Sequence, residues 1–289
     1  MMKGVGKMTN EKVHIEKNTV QETLVIPLFS RKLCTEIYGD FFRDEKAVEL
    51  MEMLDYDFGD VEKRGKGIVE RFGSLEVAVR QKSFIYEVKE YLKKHPKASV
   101  VNLGCGLDQS GEVCDNGTCK TYNVDFPDII KIREQIIQPA ERVYNVAADI
   151  NDPAWYENID KENGVVFFAS GVFYYFTKEQ MEMLLNSMGA YFPDGVLIFD
   201  IAGKTAVKMA VKTWVEQMGI KGVNTSFYVG NIKKDLEPWL KNGKASYKKY
   251  MTGYFDLQLP SIPGPFRFVS KIADNLMKMK IIKIEFTGE

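Results

Sequence analysis

Two glycines and one acid carry the first chemical signal. Gly104 and Gly106 follow the apolar run Ser99-Val-Val-Asn-Leu103 in the turn Gly-Cys-Gly-Leu-Asp108. Missing side chains there let the backbone bend sharply and let a ligand lie against it. Asp125 ends the next apolar run about 20 residues later, the separation between a glycine turn and the acid that takes ribose hydroxyls. A carboxylate in that place accepts from both hydroxyls of a diol, which needs charge and no acidity. Cys105 and Phe126 flank these residues and join the candidate cofactor site. Asp125 also fits a helix N-cap before Phe126-Pro127.

Further acids and aromatics stand at the ends of the following runs. Val143–Val146 leads to Asp149, which can accept an exocyclic amine, and to Ile150, which can pack on a base; a turn aspartate before Asn151-Asp-Pro153 is an equal local reading. The run at Val165–Phe168 enters Ser170-Gly-Val-Phe-Tyr-Tyr-Phe176. Small residues there admit a ligand, Tyr175 is placed to line an acceptor pocket, and Phe173 and Phe176 read as core. A glycine turn plus a ribose acid suits either a nicotinamide dinucleotide or S-adenosylmethionine. Pyrophosphate asks for a third glycine running into a helix, but the sixth position is Gln109 and Ser110–Gly117 reads as loop. S-Adenosylmethionine asks instead for a cation that grips its carboxylate, and Arg31 and Arg80 in the preceding helical stretch are candidates for that two-pronged contact.

These residues need a scaffold, and the hydrophobic pattern describes one. From Glu22 the spacing is helical: Val48, Met51, Leu54 and Phe58 share one face, and Leu75, Ala78, Ile85, Val88 and Leu92 share another until His95-Pro96 ends the run. Five short strands follow, at Ser99–Leu103, Thr121–Val124, Val143–Val146, Val165–Phe168 and Val196–Phe199. Helices alternate with them, at Pro127–Ile137 and after the capping box Thr177-Lys-Glu-Gln180. Ser246–Thr252 and Met279–Phe286 add two more strands. The pattern is a doubly wound α/β sheet of seven strands with an N-terminal helical layer. Residues 1–17 read as a loose leader and 18–289 as one domain, with a helical cap at 18–95 and a sheet core at 96–289. An insertion at 202–245, carrying Trp214, Phe227, Tyr228 and Trp239, is placed to cap a pocket.

Composition narrows the function. In 289 residues the hydrophobic share is 45% and the net charge is -1, which lacks the basic footprint of a nucleic-acid binder. No run approaches the length of a membrane span, and no apolar signal segment opens the chain. The expectation is a cytoplasmic protein with a small-molecule partner, no nucleic acid and no membrane; no oligomeric state is assigned. Four cysteines read as free thiols, and two histidines supply neither a metal centre nor a histidine triad.

Several ordered motifs together resemble the leucine carboxyl methyltransferase family. They are Gln21-Glu-Thr-Leu-Val-Ile-Pro-Leu28 with Arg31, Leu54-Asp-Tyr-Asp-Phe58, Val101-Asn-Leu-Gly-Cys-Gly-Leu-Asp108, Tyr122-Asn-Val-Asp-Phe-Pro127, Ala148-Asp149 with Trp155, and Ser170–Phe176. The likeness runs from about Gln21 to Phe286 and is nearest the bacterial polyketide-synthesis O-methyltransferase branch of tetracenomycin type. It implies a class I methyltransferase (Rossmann-like) fold with S-adenosyl-L-methionine as cofactor. The implied activity is O-methylation of a small-molecule carboxylate or hydroxyl, or, as a second reading, of a protein C-terminal carboxylate. It also implies Arg80 as the carboxylate-binding arginine, Gly104 and Gly106 as the glycine motif, Asp125 as the ribose acid, Asp149 as the acid near adenine, and Tyr175 as a residue that helps a phenolic acceptor. Asp200 is a further candidate for that help. Two positions depart from the family: Ser170 stands where glutamate is frequent, and Phe84-Ile-Tyr86 replaces an aspartate after the arginine. A nicotinamide-dependent oxidoreductase and a non-catalytic methyltransferase-like binding protein are the alternative readings.

Overall fold

A computed structural model of the chain describes residues 12–59, 67–210, 227–255 and 262–287. Trp214 and part of the anticipated insertion lie outside the described residues. The chain begins with Val13–His14 (β1), which pairs in parallel with Leu54–Asp55 (β2). Helices α1 (Val25–Ile37), α2 (Glu45–Met53) and α3 (Ile68–Lys94) form the N-terminal layer. The sheet strands are β3 (Ser99–Leu103), β4 (Lys120–Asp125), β5 (Val143–Ala147), β6 (Val165–Ala169), β7 (Val196–Ile201), β8 (Gly243–Lys249) and β9 (Lys280–Phe286). Between them come α4 (Ser110–Val113), α5 (Pro127–Ile136), α6 (Lys178–Tyr191), α7 (Lys204–Ala210), α8 (Ile232–Asp235) and α9 (Gly264–Leu276).

The seven strands stand in the order β5-β4-β3-β6-β7-β9-β8. The first five are parallel, and β9 runs antiparallel between β7 and β8. Burial of β6 on both faces explains its unbroken apolar sequence, Val-Val-Phe-Phe-Ala. Along β6 the period of two sends Phe167 into one core, with Trp155 and Phe192, and Phe168 into the other, with Phe84. The anticipated capping box is present: Thr177 accepts from the Gln180 N–H and Gln180 returns to the Thr177 N–H. Because α3 feeds β3 at the amino end of the strands, its N-terminal half stands at their carboxyl tips.

Four expectations are corrected. The periodicity through Phe58 overran α2, which Asp44 caps and which stops at Met53 because Leu54 turns extended to pair with Val13. The last leader residues are pinned rather than loose, since β1 is paired and Ile15 is buried. Part of the anticipated loop at Ser110–Gly117 is a one-turn helix, α4. Strand β8 starts and ends three residues early: Asp274 accepts from the Met251 and Thr252 N–H groups and draws them away from the ladder. Among the described residues no helix is long and apolar enough to cross a membrane.

Candidate active site

The glycine turn is built by backbone contacts to the tip of β4. The Gly104 and Cys105 N–H groups both donate to the Val124 carbonyl, at 2.8 and 3.2 Å, which folds the chain over that strand. Gly104 has φ +63°, and a Cβ there would lie 2.5 Å from Val172 Cγ2; neither the conformation nor the space accepts a side chain. Asp125 accepts from Gly106 N–H at 2.7 Å on Oδ2 and from Phe126 N–H at 2.8 Å on Oδ1. Each carboxylate oxygen retains a second lone pair, which is what a vicinal diol requires. Burial raises the Asp125 carboxyl above its ordinary range, and the two N–H donors hold it partway back. The cap reading and the diol reading of Asp125 are therefore compatible in one geometry. The Ala148 N–H donates to the Asp125 carbonyl at 2.8 Å, bringing the end of β5 beside it.

One residue that shapes this turn escaped the sequence reading. Arg133 on α5 is 1% exposed; its Nη1 donates to the carbonyls of Gly106 (3.0 Å) and Asp108 (2.7 Å), and its Nη2 pairs with Glu112 at 2.5 Å. The missed signal was its position, one turn beyond Ile129 on the buried face of an amphipathic helix.

Arg80 organises the other half of the site. Its Nη1 meets Asp200 Oδ2 at 3.1 Å at the end of β7, and the second oxygen of Asp200 accepts from Gly171 N–H at 2.7 Å. Gly171 has φ +73°, and a Cβ there would sit 2.9 Å from Arg80 Nη1, so the loop after β6 lies flush against the guanidinium. Burial alone would lower the arginine's proton affinity; the neighbouring groups Tyr250, Asp200 and Tyr174 more than offset it, and Arg80 stays charged. Its Nε is buried without a hydrogen-bond partner, and Nη2 makes no hydrogen bond among the described residues. In a guanidinium the Nε–H and one Nη2–H point the same way, so this unspent edge is a two-pronged donor matched to a carboxylate. Val172, next to Gly171, packs on Gly104 and so links the two halves.

The remaining anticipated site residues separate by environment. Arg31 is 5% exposed and spends Nη1 on Asp44 (2.9 Å) and Nη2 on the Leu107 carbonyl (3.2 Å), contacts that tie α1 to the glycine turn. Cys105 is buried, and desolvation pushes its thiol well up, so its part in the turn is that of its backbone. Phe126 is an exposed ring beside Asp125. Asp149 is exposed, with Oδ1 accepting from Asn151 N–H and side-chain amide, while Ile150 is buried in the core beneath it. Ser170 is partly buried at the tip of β6. Tyr175 is 39% exposed; crowding around its hydroxyl, opposed by Arg80 and aided by Asp200, raises its proton affinity, so it stays a neutral phenol at pH 7. Asp200 is 1% exposed, with Arg80 on one oxygen and Gly171 N–H on the other, so burial separates it from the more accessible Asp125. Among the described residues no group of three or more His, Cys, Asp or Glu is placed to hold a metal.

Numbered within the large sheet alone, the strand order is 3-2-1-4-5-7-6 with strand 7 antiparallel. A dinucleotide-binding sheet runs 3-2-1-4-5-6. The inserted antiparallel strand, together with the glycine turn after β3 and the acid at the tip of β4, defines the class I methyltransferase fold. A putative methyltransferase from Thermobifida fusca YX shares it, with a TM-score of 0.58 at 12% identity over 90% of this chain and 94% of that one. The plantazolicin methyltransferase BamL, seen with S-adenosylhomocysteine and a desmethylplantazolicin analogue, matches at a TM-score of 0.50 and 12% identity over 93% of this chain and 99% of that one. The leucine carboxyl methyltransferase family model matches residues 24–189, more than half of the chain. The protein belongs to the leucine carboxyl methyltransferase family. The tetracenomycin polyketide synthesis O-methyltransferase TcmP of Streptomyces glaucescens is 26% identical over 182 residues, which cover 63% of this chain and 65% of that protein, just under two thirds of its length.

Proposed function

We propose that the protein is an S-adenosyl-L-methionine-dependent O-methyltransferase whose acceptor is a small-molecule carboxylate or hydroxyl. One observation carries the reading. The unspent Nε/Nη2 edge of Arg80 and the diol-ready oxygens of Asp125 stand on either side of one glycine turn, spaced along the chain by the fold of a methyltransferase family. An orphaned buried guanidinium nitrogen fits the cofactor's carboxylate and has no other evident use. Asp125 holds the ribose, and Phe126 and Asp149 border the base.

When bound, the cofactor supplies an electrophilic methyl group on a sulfonium sulfur. The chain's work is then positioning: Arg80 and Asp125 fix the two ends of the ligand, and alignment of this kind is worth about 7–11 kcal/mol of barrier. An acceptor carboxylate is already ionised at neutral pH and needs no base. Tyr175, as a neutral phenol, serves the acceptor as a hydrogen-bond donor and does not take its proton. The likeness to a polyketide-synthesis enzyme supports a polyketide-like acceptor.

The test couples binding to turnover. Calorimetry with S-adenosylhomocysteine and with NADH reads the cofactor class, and transfer of a labelled methyl group into a fractionated metabolite pool, followed by base hydrolysis, reads ester against ether. Saturable binding of S-adenosylhomocysteine and label appearing in a small molecule are the expected results. Binding of NADH in its place would replace the reading with the oxidoreductase.

A further inference from the structure

Asp200 is buried to 1% exposure at the tip of β7 and reaches both halves of one contact: Arg80 Nη1 at 3.1 Å on one oxygen and Gly171 N–H at 2.7 Å on the other. The Tyr174 phenol faces the same carboxylate, and burial together with that negative charge holds its proton well beyond the ordinary phenol range. A guanidinium offers a carboxylate either its end, through Nη1 and Nη2, or its side, through Nε and Nη2. With Nη1 already paired to Asp200, the side is the edge on which no nitrogen has a protein partner among the described residues. Nε is the buried nitrogen that lacks a partner. Gly171 lets the loop come close to the guanidinium, since a Cβ there would sit 2.9 Å from Arg80 Nη1.

We propose that Asp200 is a positioning residue that fixes Arg80 side-on, so that the cofactor's amino-acid carboxylate is received by the Nε/Nη2 edge and by no other. The inference rests on the reading of Arg80 as the partner of that carboxylate. At 1% exposure, Asp200 acts through the protein groups it contacts. Its effect is confined to the tail, because the ribose and base are held by Asp125 and its neighbours on the far side of the glycine turn.

Two ligands separate the tail from the rest: S-adenosylhomocysteine, and 5′-methylthioadenosine, which keeps the nucleoside and sulfur but has no amino acid. Asp200→Asn, nearly identical in shape, turns an acceptor at Arg80 into a neutral group. It is expected to weaken S-adenosylhomocysteine by about tenfold or more while leaving 5′-methylthioadenosine unchanged in calorimetry. Arg80→Met is measured beside it. If Arg80→Met loses the tail-dependent affinity and Asp200→Asn does not, the positioning role is overturned and the reading of Arg80 stands. If Arg80→Met also binds both ligands normally, the reading of Arg80 falls and the inference with it. Equal weakening of both ligands by Asp200→Asn marks a general structural role and overturns the proposal. Should that variant fail to fold, the parent protein decides: the Arg80 Nε–H resonance in 15N-labelled protein shifts on adding S-adenosylhomocysteine and not on adding 5′-methylthioadenosine, and an Nε–H indifferent to both overturns the side-on arrangement.

Discussion

Replacing Asp125 with asparagine tests the ribose contact most directly, because the structure shows what each carboxylate oxygen already does. Oδ2 and Oδ1 each accept one backbone N–H, from Gly106 and Phe126. An asparagine offers one oxygen and one amide nitrogen, so one of those donors would face another donor, and one hydroxyl of the diol would lose its charged acceptor. A hydrogen bond to a charged group is worth roughly 1.5–3 kcal/mol and a neutral one roughly 0.5–1.5 kcal/mol. Two weakened diol contacts therefore cost about 2–3 kcal/mol, a loss of about 30- to 150-fold in affinity. Calorimetry with S-adenosylhomocysteine measures it, and the 2′,3′-dideoxy analogue supplies the control, since its affinity should differ little between parent and variant. The raised Asp125 carboxyl adds a sign: diol binding wants the ionised form, so parent affinity falls as the solution is acidified toward that carboxyl's range, and the variant's does not. Equal loss for both ligands, or no loss for the diol, would show that Asp125 only builds the turn.

Glu76, one turn before Arg80, gives a stability prediction. Burial, opposed by Arg80 and reinforced by Asp274, raises its carboxyl from 4.5 to about 7. Between those values the folded chain holds a proton that the unfolded chain has released, so unfolding free energy falls as pH rises through the window, by roughly 3 kcal/mol at most. Glu76→Gln should remove that slope and be the more stable protein above pH 7, as read by urea denaturation at pH 5 and 8; parallel curves for the two proteins would discard the argument. Gly171→Ala forces a side chain into the φ +73° backbone against Arg80 Nη1. The cost should be about 1–3 kcal/mol of stability, with affinity lost for S-adenosylhomocysteine and kept for 5′-methylthioadenosine; a variant that binds both as the parent does would mean the loop is not held against the guanidinium.

Much of this was legible in the sequence where a signal is local. The five parallel strands announce themselves as short β-branched and aromatic runs, most plainly Val165–Ala169, where burial on both faces leaves no polar position, and the glycine turn and Asp125 are joined by a spacing that the fold imposes. The end of α2 was not legible, because Leu54 carries the helical period and is claimed by a strand partner far earlier in the chain, Val13. Nor was the start of β8, whose register is set by the length of β9 and by Asp274 drawing Met251 and Thr252 away. Arg133 carried a usable local signal, a charge on an apolar helix face, that only its burial makes meaningful.

The two arginines show where local reading stops. Arg31 and Arg80 lie on helices of the same layer, and both look like carboxylate forks from sequence. What divides them is how many donors the fold has already spent. Arg31 meets Asp44, the cap of the next helix, and the Leu107 carbonyl, and both of its terminal nitrogens are engaged. Arg80 meets an acid 120 residues away with a single nitrogen and keeps an edge free. A buried charge whose two terminal nitrogens are both engaged is a fastener, whereas one whose edge is left unpaired while its charge is compensated is under pressure to find an anion. The same strand-tip rule that picks Asp125 also reaches Asp200, but the two environments assign opposite roles. Asp125 is partly open to a ligand, whereas Asp200 is buried with Arg80 on one oxygen and Gly171 N–H on the other.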